Sequence, residues 1–189
     1  MLSDTDILAE QKRGLTKIEP WNDDQLQPAS YDVTLGDDFK VMRRLENRFD
    51  YIDAARRQTW DDVQSKFVEI DHAEYVLYGC TLAPGDFALG TTIERISIGH
   101  NVAARHEGNS SLGRIGLMSH VTAAFIDPGF FGTVTLELKN VSPNPIRLSR
   151  GMPIGQLCFF YLNTPSDLPY GLRGNHYQGQ DGTTVSARA

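Results

Sequence analysis

The strand signal that decides the fold is the stretch Thr133-Val134-Thr135-Leu136-Glu137-Leu138. Successive side chains of an extended segment point to opposite faces, so the three apolar residues share one face while the threonines and Glu137 share the other. The pattern predicts a strand with Glu137 directed away from the core. From this strand alone, a solvated carboxylate on an exposed face is the simpler interpretation of Glu137.

The same period of two recurs along the chain from residue 31 onward. The predicted strands are 31–35, 39–41, 75–78, 87–89, 102–104, 133–138 and 154–159. Turn residues separate them at Gly36, Gly79, Pro84-Gly85, Asp127-Pro128-Gly129 and Arg150-Gly151. Many short strands at regular spacing predict an all-β sandwich, jelly roll or barrel.

The rest of the chain predicts one helix and two segments outside the sheets. Ser3, Asp4 and Thr5 can cap a short helix that ends at Gly14. The stretch 44–66 is charged and weakly patterned, which indicates an excursion from the sheet. The stretch 171–189 is polar and rich in glycine, so it is either disordered or orders over a ligand. We expect a single domain, 1–189, with 171–189 as a flexible C-terminal lid.

The composition excludes several classes of protein. The chain has 189 residues, 40% of them hydrophobic and 22% charged, which is an ordinary globular balance. A net charge of -6 argues against a nucleic-acid-binding face. Two cysteines are too few for a disulfide scaffold or a zinc ligand set, and no run is long enough for a membrane span. We therefore expect a cytoplasmic protein with no membrane or nucleic-acid partner.

The stretch 107–116, EGNSSLGRIG, is the first candidate binding element. Small residues allow backbone N–H groups to approach an anion, serine hydroxyls add donors, and Arg114 adds a planar cation. A polar turn before a helix explains the same residues. The spacing fits neither a Walker loop nor a dinucleotide fingerprint.

The stretch 124–132, AFIDPGFFG, is the second candidate element, with one acid between aromatic residues. Asp127 could accept a sugar hydroxyl while an aromatic ring stacks on the sugar face. A hairpin in which Asp127 caps its own turn and the aromatic rings fill the core is the alternative.

These elements, in this order, resemble the dCTP deaminase family, the deaminating branch of the superfamily that also contains the trimeric dUTPases. The matching stretches are 27–32, 107–114, 120–132, 135–138, 151–157 and 177–180. The resemblance therefore covers nearly the whole chain. It implies a distorted β-barrel or jelly-roll subunit, a homotrimer with active sites between subunits, and a C-terminal segment that closes over the nucleotide.

The resemblance implies hydrolytic deamination of dCTP at C4 of cytosine. Glu137 would act as general base and acid, taking a proton from water and delivering protons to N3 and the leaving amine. Ser110 and Arg114 match the residues that position this water and Glu137. Pyrimidine deoxynucleotides are the expected ligands, and the resemblance leaves dTTP open as an inhibitor.

The substrate-binding residues implied by the resemblance fall into three groups. Ser111, Leu112, Gly113, Tyr170 and Gln180 match residues near the phosphates. Asp127 matches the acid that accepts the sugar 3'-hydroxyl, and Phe130 matches an aromatic residue against the deoxyribose. Ala123, Thr135 and Leu136 match the backbone that reads the pyrimidine edge.

Family members either stop at dUTP or also cleave the phosphate chain and release dUMP. The stretch containing Ala124 and Phe125 resembles the dUMP-forming members, because Ala124 is small where many members that stop at dUTP carry a bulky His. Gln156 also matches a dUMP-forming position. Two residues depart from the family pattern at the phosphate end, namely Asn109 at a usually basic position and His176 in place of a Lys.

No zinc is expected, since the Pro-Cys-x-x-Cys spacing of zinc deaminases is missing from the sequence. Mg²⁺ would enter only on the triphosphate. His106 and His120 are interpreted as structural or site-lining groups. The alternatives are a deaminase that releases dUTP, an enzyme acting only on dUTP, and a nucleotide-sensing protein without catalysis.

Overall fold

The structure, a computed structural model, describes residues 1–43, 45, 51–53, 63–71, 79–172, 174 and 176–185. It is mainly β, as predicted. The predicted strand at 75–78 and most of the 44–66 excursion lie outside the described residues.

Two helices lie wholly within the described residues, α1 (Asp4–Arg13) and α2 (Ser110–Arg114), with a 3-10 turn at Asp23–Gln25. The strands are β1 (Lys17–Glu19), β2 (Leu26–Gln27), β3 (Ser30–Thr34), β4 (Lys40–Met42), β5 (Phe67–Glu69), β6 (Cys80–Leu82), β7 (Phe87–Ser97), β8 (Val102–Gly108), β9 (Leu117–Met118), β10 (Phe125–Ile126), β11 (Phe131–Asn140), β12 (Ile146–Leu148) and β13 (Pro153–Tyr161).

The N-terminal helix begins and ends where the sequence predicted. Ser3 accepts from the backbone N–H of Asp6, and the Asp6 side chain accepts from the backbone N–H of Ser3, a reciprocal capping box. Gly14 ends the helix with φ of 71°, a left-handed conformation that glycine adopts without steric cost. None of the described helices is long and apolar enough to cross a membrane.

Two sheets enclose the core. One has the strand order β5-β4-β7-β11-β9, with β1 also pairing β7, and the other has the order β10-β8-β13-β3-β2. A small third sheet pairs β12 with β6. Apolar side chains from the two large sheets form one cluster; its members include Val33, Leu35, Ile96, Val102, Leu136, Leu138, Ile154, Leu157 and Phe159.

The strand that carries Glu137 is longer than its sequence signal. It spans ten residues and pairs with β7 in antiparallel register, with an irregularity between Thr133 and Thr135. Leu136 and Leu138 are buried in the core, whereas Glu137 is only half-buried on the other face. The predicted orientation of Glu137 is therefore confirmed.

Thr133 is an exception to the predicted alternation, because it is 5% exposed although it lies on the outward face. The described C-terminal residues 176–185, hereafter the C-terminal segment, cover it. This segment lies against β11 with a parallel bridge between Gly132 and Gln180.

Candidate active site

Glu137 is held by a loop of the same chain. Its Oε2 accepts backbone N–H groups from Val121 at 2.9 Å, Thr122 at 3.0 Å and Ala123 at 3.5 Å. These residues belong to the 119–124 loop, which joins β9 to β10. Charge-assisted hydrogen bonds of this kind orient a carboxylate strongly. All hydrogen bonds described for Glu137 end on Oε2, which leaves Oε1 for a proton donor.

An open strand edge adjoins this carboxylate. On the side of β11 that faces away from β7, β9 pairs only with Lys139 and Asn140, and the C-terminal segment pairs only near Gly132. Within the described part of the chain, no strand pairs with the stretch between these two points. Thr135 and Leu136 thus lie on a stretch of this edge without a strand partner among the described residues, where backbone groups could meet a planar ring edge-on.

The C-terminal segment approaches the same face. Gln180 exchanges hydrogen bonds with Thr133, with its Nε2 donating to Thr133 O at 2.6 Å and its backbone O accepting from Thr133 N at 3.1 Å. The Oγ1 atoms of Thr133 and Thr135 accept from the backbone N–H groups of Gly182 and Thr184 at 3.1 and 3.5 Å. The segment that the sequence predicted as a lid therefore lies beside Glu137.

Charged residues in the sheet and in the β3–β4 connection hold this segment in place. Asp38 Oδ2 accepts from Thr183 N at 2.6 Å, and Lys40 Nζ donates to Thr183 O at 2.9 Å. Arg95 pairs with Asp181 at 2.7 Å. None of these residues was among the predicted site residues, because their contacts with the segment join distant parts of the chain.

Helix α2 presents the serine-rich stretch. Asn109 is its N-cap, and its Oδ1 accepts from the backbone N–H groups of Ser111 at 2.9 Å and Leu112 at 3.4 Å, while its backbone O accepts from Gly113 N at 2.9 Å. The resemblance places the backbone N–H groups of Ser111, Leu112 and Gly113 around the phosphates. In this structure they donate to Asn109 instead. Free donors are instead the Ser110 and Ser111 hydroxyls, which have no hydrogen-bond partner among the described residues.

Arg114 lies apart from Glu137 within this chain. It is exposed and lines an open cleft of about 690 Å³ between the end of α2 and the loop 142–147, together with Arg147. No contact between Arg114 and Glu137 occurs in the part of the chain that the structure describes. The predicted catalytic residues are therefore not all brought together by one copy of the chain.

Asp127, Phe130 and Tyr170 are brought together. The Phe130 and Tyr170 rings meet edge-to-face with centroids 5.6 Å apart, and Asp127 is exposed beside them. Burial raises the pKa of Tyr170, the hydrogen bond from Tyr177 N lowers it by less, and Asp127 adds a smaller increase. Phe130 is only 7% exposed, whereas Phe131 is 41% exposed. The guanidinium carbon of Arg95 lies 5.0 Å from the centroid of the Phe131 ring.

Gln156 lies on β13 between two carboxylates. Its cross-strand partners are Asp32 on β3 and Glu107 on β8. Ser30 Oγ donates to Gln156 Oε1 at 2.5 Å, which leaves the Gln156 amide N–H groups for a ligand oxygen. Burial raises the pKa of Asp32. The Ser30 contact was not predicted, although both residues lie in stretches that carry the resemblance.

Of the remaining predicted residues, Ala124 is buried and Phe125 is 63% exposed. His176 is exposed, with its ring 6.4 Å from that of Tyr177. His106 and His120 are neighbours with ring centroids 5.8 Å apart. Among the residues that the structure describes, no three His, Cys, Asp or Glu side chains are grouped so that they could hold a metal ion.

Gly155 on β13 makes room for the His106 ring. A Cβ atom at this position would lie 2.2 Å from His106 Cε1 and 2.7 Å from Glu107 O. We expect Gly155→Ala to lower the free energy of unfolding by about 1–3 kcal/mol because the backbone oxygen cannot move aside. Urea unfolding monitored by circular dichroism measures this change.

Gly108 provides the matched control, because it is the direct cross-strand partner of Gly155. A Cβ atom there would meet only Ser119 Oγ, at 3.5 Å, which is ordinary contact. Gly108→Ala should leave stability nearly unchanged. Equal stability of the Gly155→Ala protein and the wild type would show that the packing around His106 is looser than described.

A model of the family described as dCTP deaminase-like matches residues 1–162. The chain belongs to the dCTP deaminase-like family. Its relatives include a protein named "dCTP deaminase, dUMP-forming" from Bifidobacterium longum, 45% identical over 188 residues that cover 98% of this chain and 93% of the relative. A Salinispora arenicola protein of the same name is 48% identical over 189 residues, with the same coverage.

Among solved structures, this member of the dCTP deaminase-like family is similar to a 2'-deoxycytidine 5'-triphosphate deaminase from Agrobacterium tumefaciens. The TM-score is 0.61 at 26% identity, and the match covers 85% of this chain. The chain spans about half the length of that protein, 48%. The family and all-β fold implied by the resemblance are thus confirmed.

Proposed function

We propose that the protein deaminates dCTP at C4 and cleaves the triphosphate, so that dCTP and two waters give dUMP, ammonia and pyrophosphate. The observation that carries the proposal is the Glu137 carboxylate, held by three backbone N–H groups beside an open strand edge. The relatives named dUMP-forming match nearly the full chain, which supports the same overall reaction.

In this mechanism Glu137 moves the protons. Oε1 takes a proton from water as the water oxygen attacks C4, and the carboxylic acid delivers that proton to N3. The carboxylate then takes the proton of the new C4 hydroxyl and delivers it to the amine. The tetrahedral centre breaks its C–N bond and releases ammonia. Because Oε2 is bound by the 119–124 loop, the free oxygen keeps one direction throughout these transfers.

The open edge of β11 is the proposed pyrimidine site. Backbone groups of Thr135 and Leu136 would hydrogen-bond the ring edge, since this stretch of β11 has no strand partner in the described structure. The backbone O of Ala123, whose N–H donates to Glu137, would add an acceptor. A site built from backbone donors and acceptors orients the ring for attack at C4. The Gln180 contacts would then close the segment over the bound base.

The deoxyribose would lie against Asp127 and the partly buried ring of Tyr170, with the buried Phe130 ring packed edge-to-face behind it. Asp127 is exposed and can accept the 3'-hydroxyl, while the aromatic surface leaves little room for a 2'-hydroxyl. Ammonia release from dCTP, CTP and dCMP, compared at one concentration, tests this proposal, with dUTP, which has no 4-amino group, as the blank. Equal rates with dCTP and CTP would show that this surface does not exclude a 2'-hydroxyl, and would contradict the proposed sugar site.

The triphosphate would meet the hydroxyl of Ser111, the amide of Gln156, and His176 and Gln180 from the C-terminal segment, whereas the Ser110 hydroxyl would position the attacking water. Mg²⁺ would arrive as part of the nucleotide and neutralise phosphate charge. Glu137 supplies the base in this proposal, and zinc has no role in it. The relatives named dUMP-forming support the second, phosphate-cleaving step.

The proposed assembly is a homotrimer with a site at each interface. Arg114 lies at an open cleft and makes no contact with Glu137 in the described structure, so a second copy is needed to supply the arginine that orients the water.

Both cysteines are free thiols, which fits a reducing compartment, and we place the reaction in the cytoplasm.

His176→Lys should lower the KM for dCTP about tenfold, because a charged hydrogen bond to phosphate is stronger than a neutral one. Steady-state kinetics at pH 8 and low salt measure the effect. His100→Lys is the matched control, since His100 is also exposed and lies outside the proposed site. An equal effect of both variants would assign the change to net charge and remove His176 from the phosphate site.

A further inference from the structure

His106 binds both ends of the 119–124 loop. Its backbone N–H donates to Ala124 O at 2.8 Å, and its ring Nε2 lies 2.9 Å from Ser119 Oγ. Ser119 and Ala124 are buried, whereas the three residues 121–123 that hold Glu137 are exposed. His106 therefore bonds both buried ends of the loop and fixes the conformation of the exposed residues 121–123 between them.

Neighbouring residues confine the ring of His106. It is 2% exposed, and the missing side chain of Gly155 leaves the space it fills. His120 packs its own ring edge-to-face against it, and His120 Nε2 lies 4.0 Å from Glu107 Oε2. A ring confined on these sides is held in one rotamer, so its hydrogen bond to Ser119 has one direction.

The proton of this ring can be assigned. Burial, with a smaller effect of His120, lowers the pKa of His106 to about 4, so the ring is neutral at neutral pH and carries one N–H. Nδ1 is buried and has no hydrogen-bond partner among the described residues. A buried N–H without an acceptor is less tolerated than an unused lone pair. The proton therefore lies on Nε2, and Ser119 Oγ accepts it.

We propose that His106 is a positioning residue for Glu137, which acts by fixing the 119–124 loop through Ser119 and Ala124. His106 itself touches no substrate. Its bonds set the loop, the loop amides hold Oε2, and Oε1 is thereby aimed at the water. The inference rests on the proposed function, because it assigns Glu137 the role of base.

His106→Leu tests the inference, since leucine fills the space but cannot donate to Ser119. We expect kcat for ammonia release to fall about 10- to 100-fold, with the KM for dCTP changed by less than about threefold, because misplacement of a reacting group acts on the chemical step. His106→Gln places an amide N–H near the position of Nε2 and should recover most of kcat.

Ser119→Ala removes the other partner of the same bond. It should lower kcat as much as His106→Leu does, and the double variant should be no slower than either single variant, since only one interaction is lost. Thr16→Val is the matched control. It removes a buried hydroxyl that accepts from Gly99 N, far from the loop, and should change stability but not kcat.

Amide hydrogen exchange supplies a readout that does not depend on activity. Exchange in a peptide covering 119–124 should be faster in His106→Leu and Ser119→Ala than in wild type, and unchanged in Thr16→Val. Folded His106→Leu with unaltered kcat and exchange would overturn the inference, as would a kcat loss matched by Thr16→Val. If His106→Leu does not fold, Ser119→Ala and His106→Gln decide the question.

The two proposals can fail separately. If the wild type releases no ammonia from dCTP, the proposed function fails, and the exchange measurement still shows whether His106 fixes the loop. If the wild type is active and exchange in 119–124 is the same in every variant, only the positioning role fails.

Discussion

Glu137→Gln should reduce ammonia release from dCTP by about 10³-fold or more, because glutamine cannot take a proton from water. The amide oxygen of glutamine can still accept the N–H groups of the 119–124 loop, so the loop should keep its conformation. Nucleotide binding should therefore survive. Single-turnover ammonia release, together with isothermal titration of a dCTP analogue, measures both quantities.

Glu19→Gln is the control for this variant. Glu19 is an exposed carboxylate on β1, in the same large sheet, and pairs only with Lys17 in the described structure. Its replacement should leave the rate unchanged. Retention of even a tenth of the wild-type rate in Glu137→Gln would remove Glu137 from the role of base.

Arg114→Ala is the second large effect, with an expected loss of about 10²-fold in kcat. A planar cation that orients the water and the carboxylate acts in the transition state, so kcat should fall more than KM rises. Arg147→Ala, from the same cleft, is the comparison variant and should lose much less. Equal losses would mean that the cleft acts through its total charge.

Mixing Arg114→Ala subunits with Glu137→Gln subunits tests where the two residues meet. If each site joins Glu137 of one copy to Arg114 of another, random trimers from an equal mixture should regain about a quarter of wild-type activity, because half the copies carry each intact residue. No recovery after co-refolding would place both residues of a site in one chain and contradict the interfacial arrangement.

Local sequence signals predicted the parts of this structure that depend on neighbours in the chain. The Ser3 cap and the Gly14 stop define α1 because capping involves residues within one turn. Period-two alternation located β11 and the side to which Glu137 points, because side chains of a strand alternate. Boundaries were less accurate, since the predicted strand 87–89 is part of β7, which extends to Ser97.

Local sequence signals could not predict contacts between segments that are distant in the chain. Thr133 is buried because the C-terminal segment covers it, which no pattern within 133–138 could show. Asn109 was assigned to the phosphate site from its position in the family, whereas its side chain caps α2. The bond between His106 and Ser119 links β8 to a loop thirteen residues later and became visible only once the strands were in register.

The hydrogen bonds that hold Glu137 are also contacts between separate segments, which its strand pattern could not predict. The sequence placed the carboxylate on the outward face of a strand, where a solvated side chain was the simpler interpretation. The loop amides that bind Oε2 changed that interpretation, because three backbone donors converging on one oxygen hold the side chain in one direction.

The most direct test of the central claim is one incubation of the purified protein with dCTP and Mg²⁺, in which ammonia, dUTP, dUMP and pyrophosphate are followed over time. We predict ammonia and dUMP in equal amounts, with pyrophosphate and without dUTP accumulation. Ammonia with stable dUTP would limit the protein to deamination. No ammonia from dCTP would contradict the account.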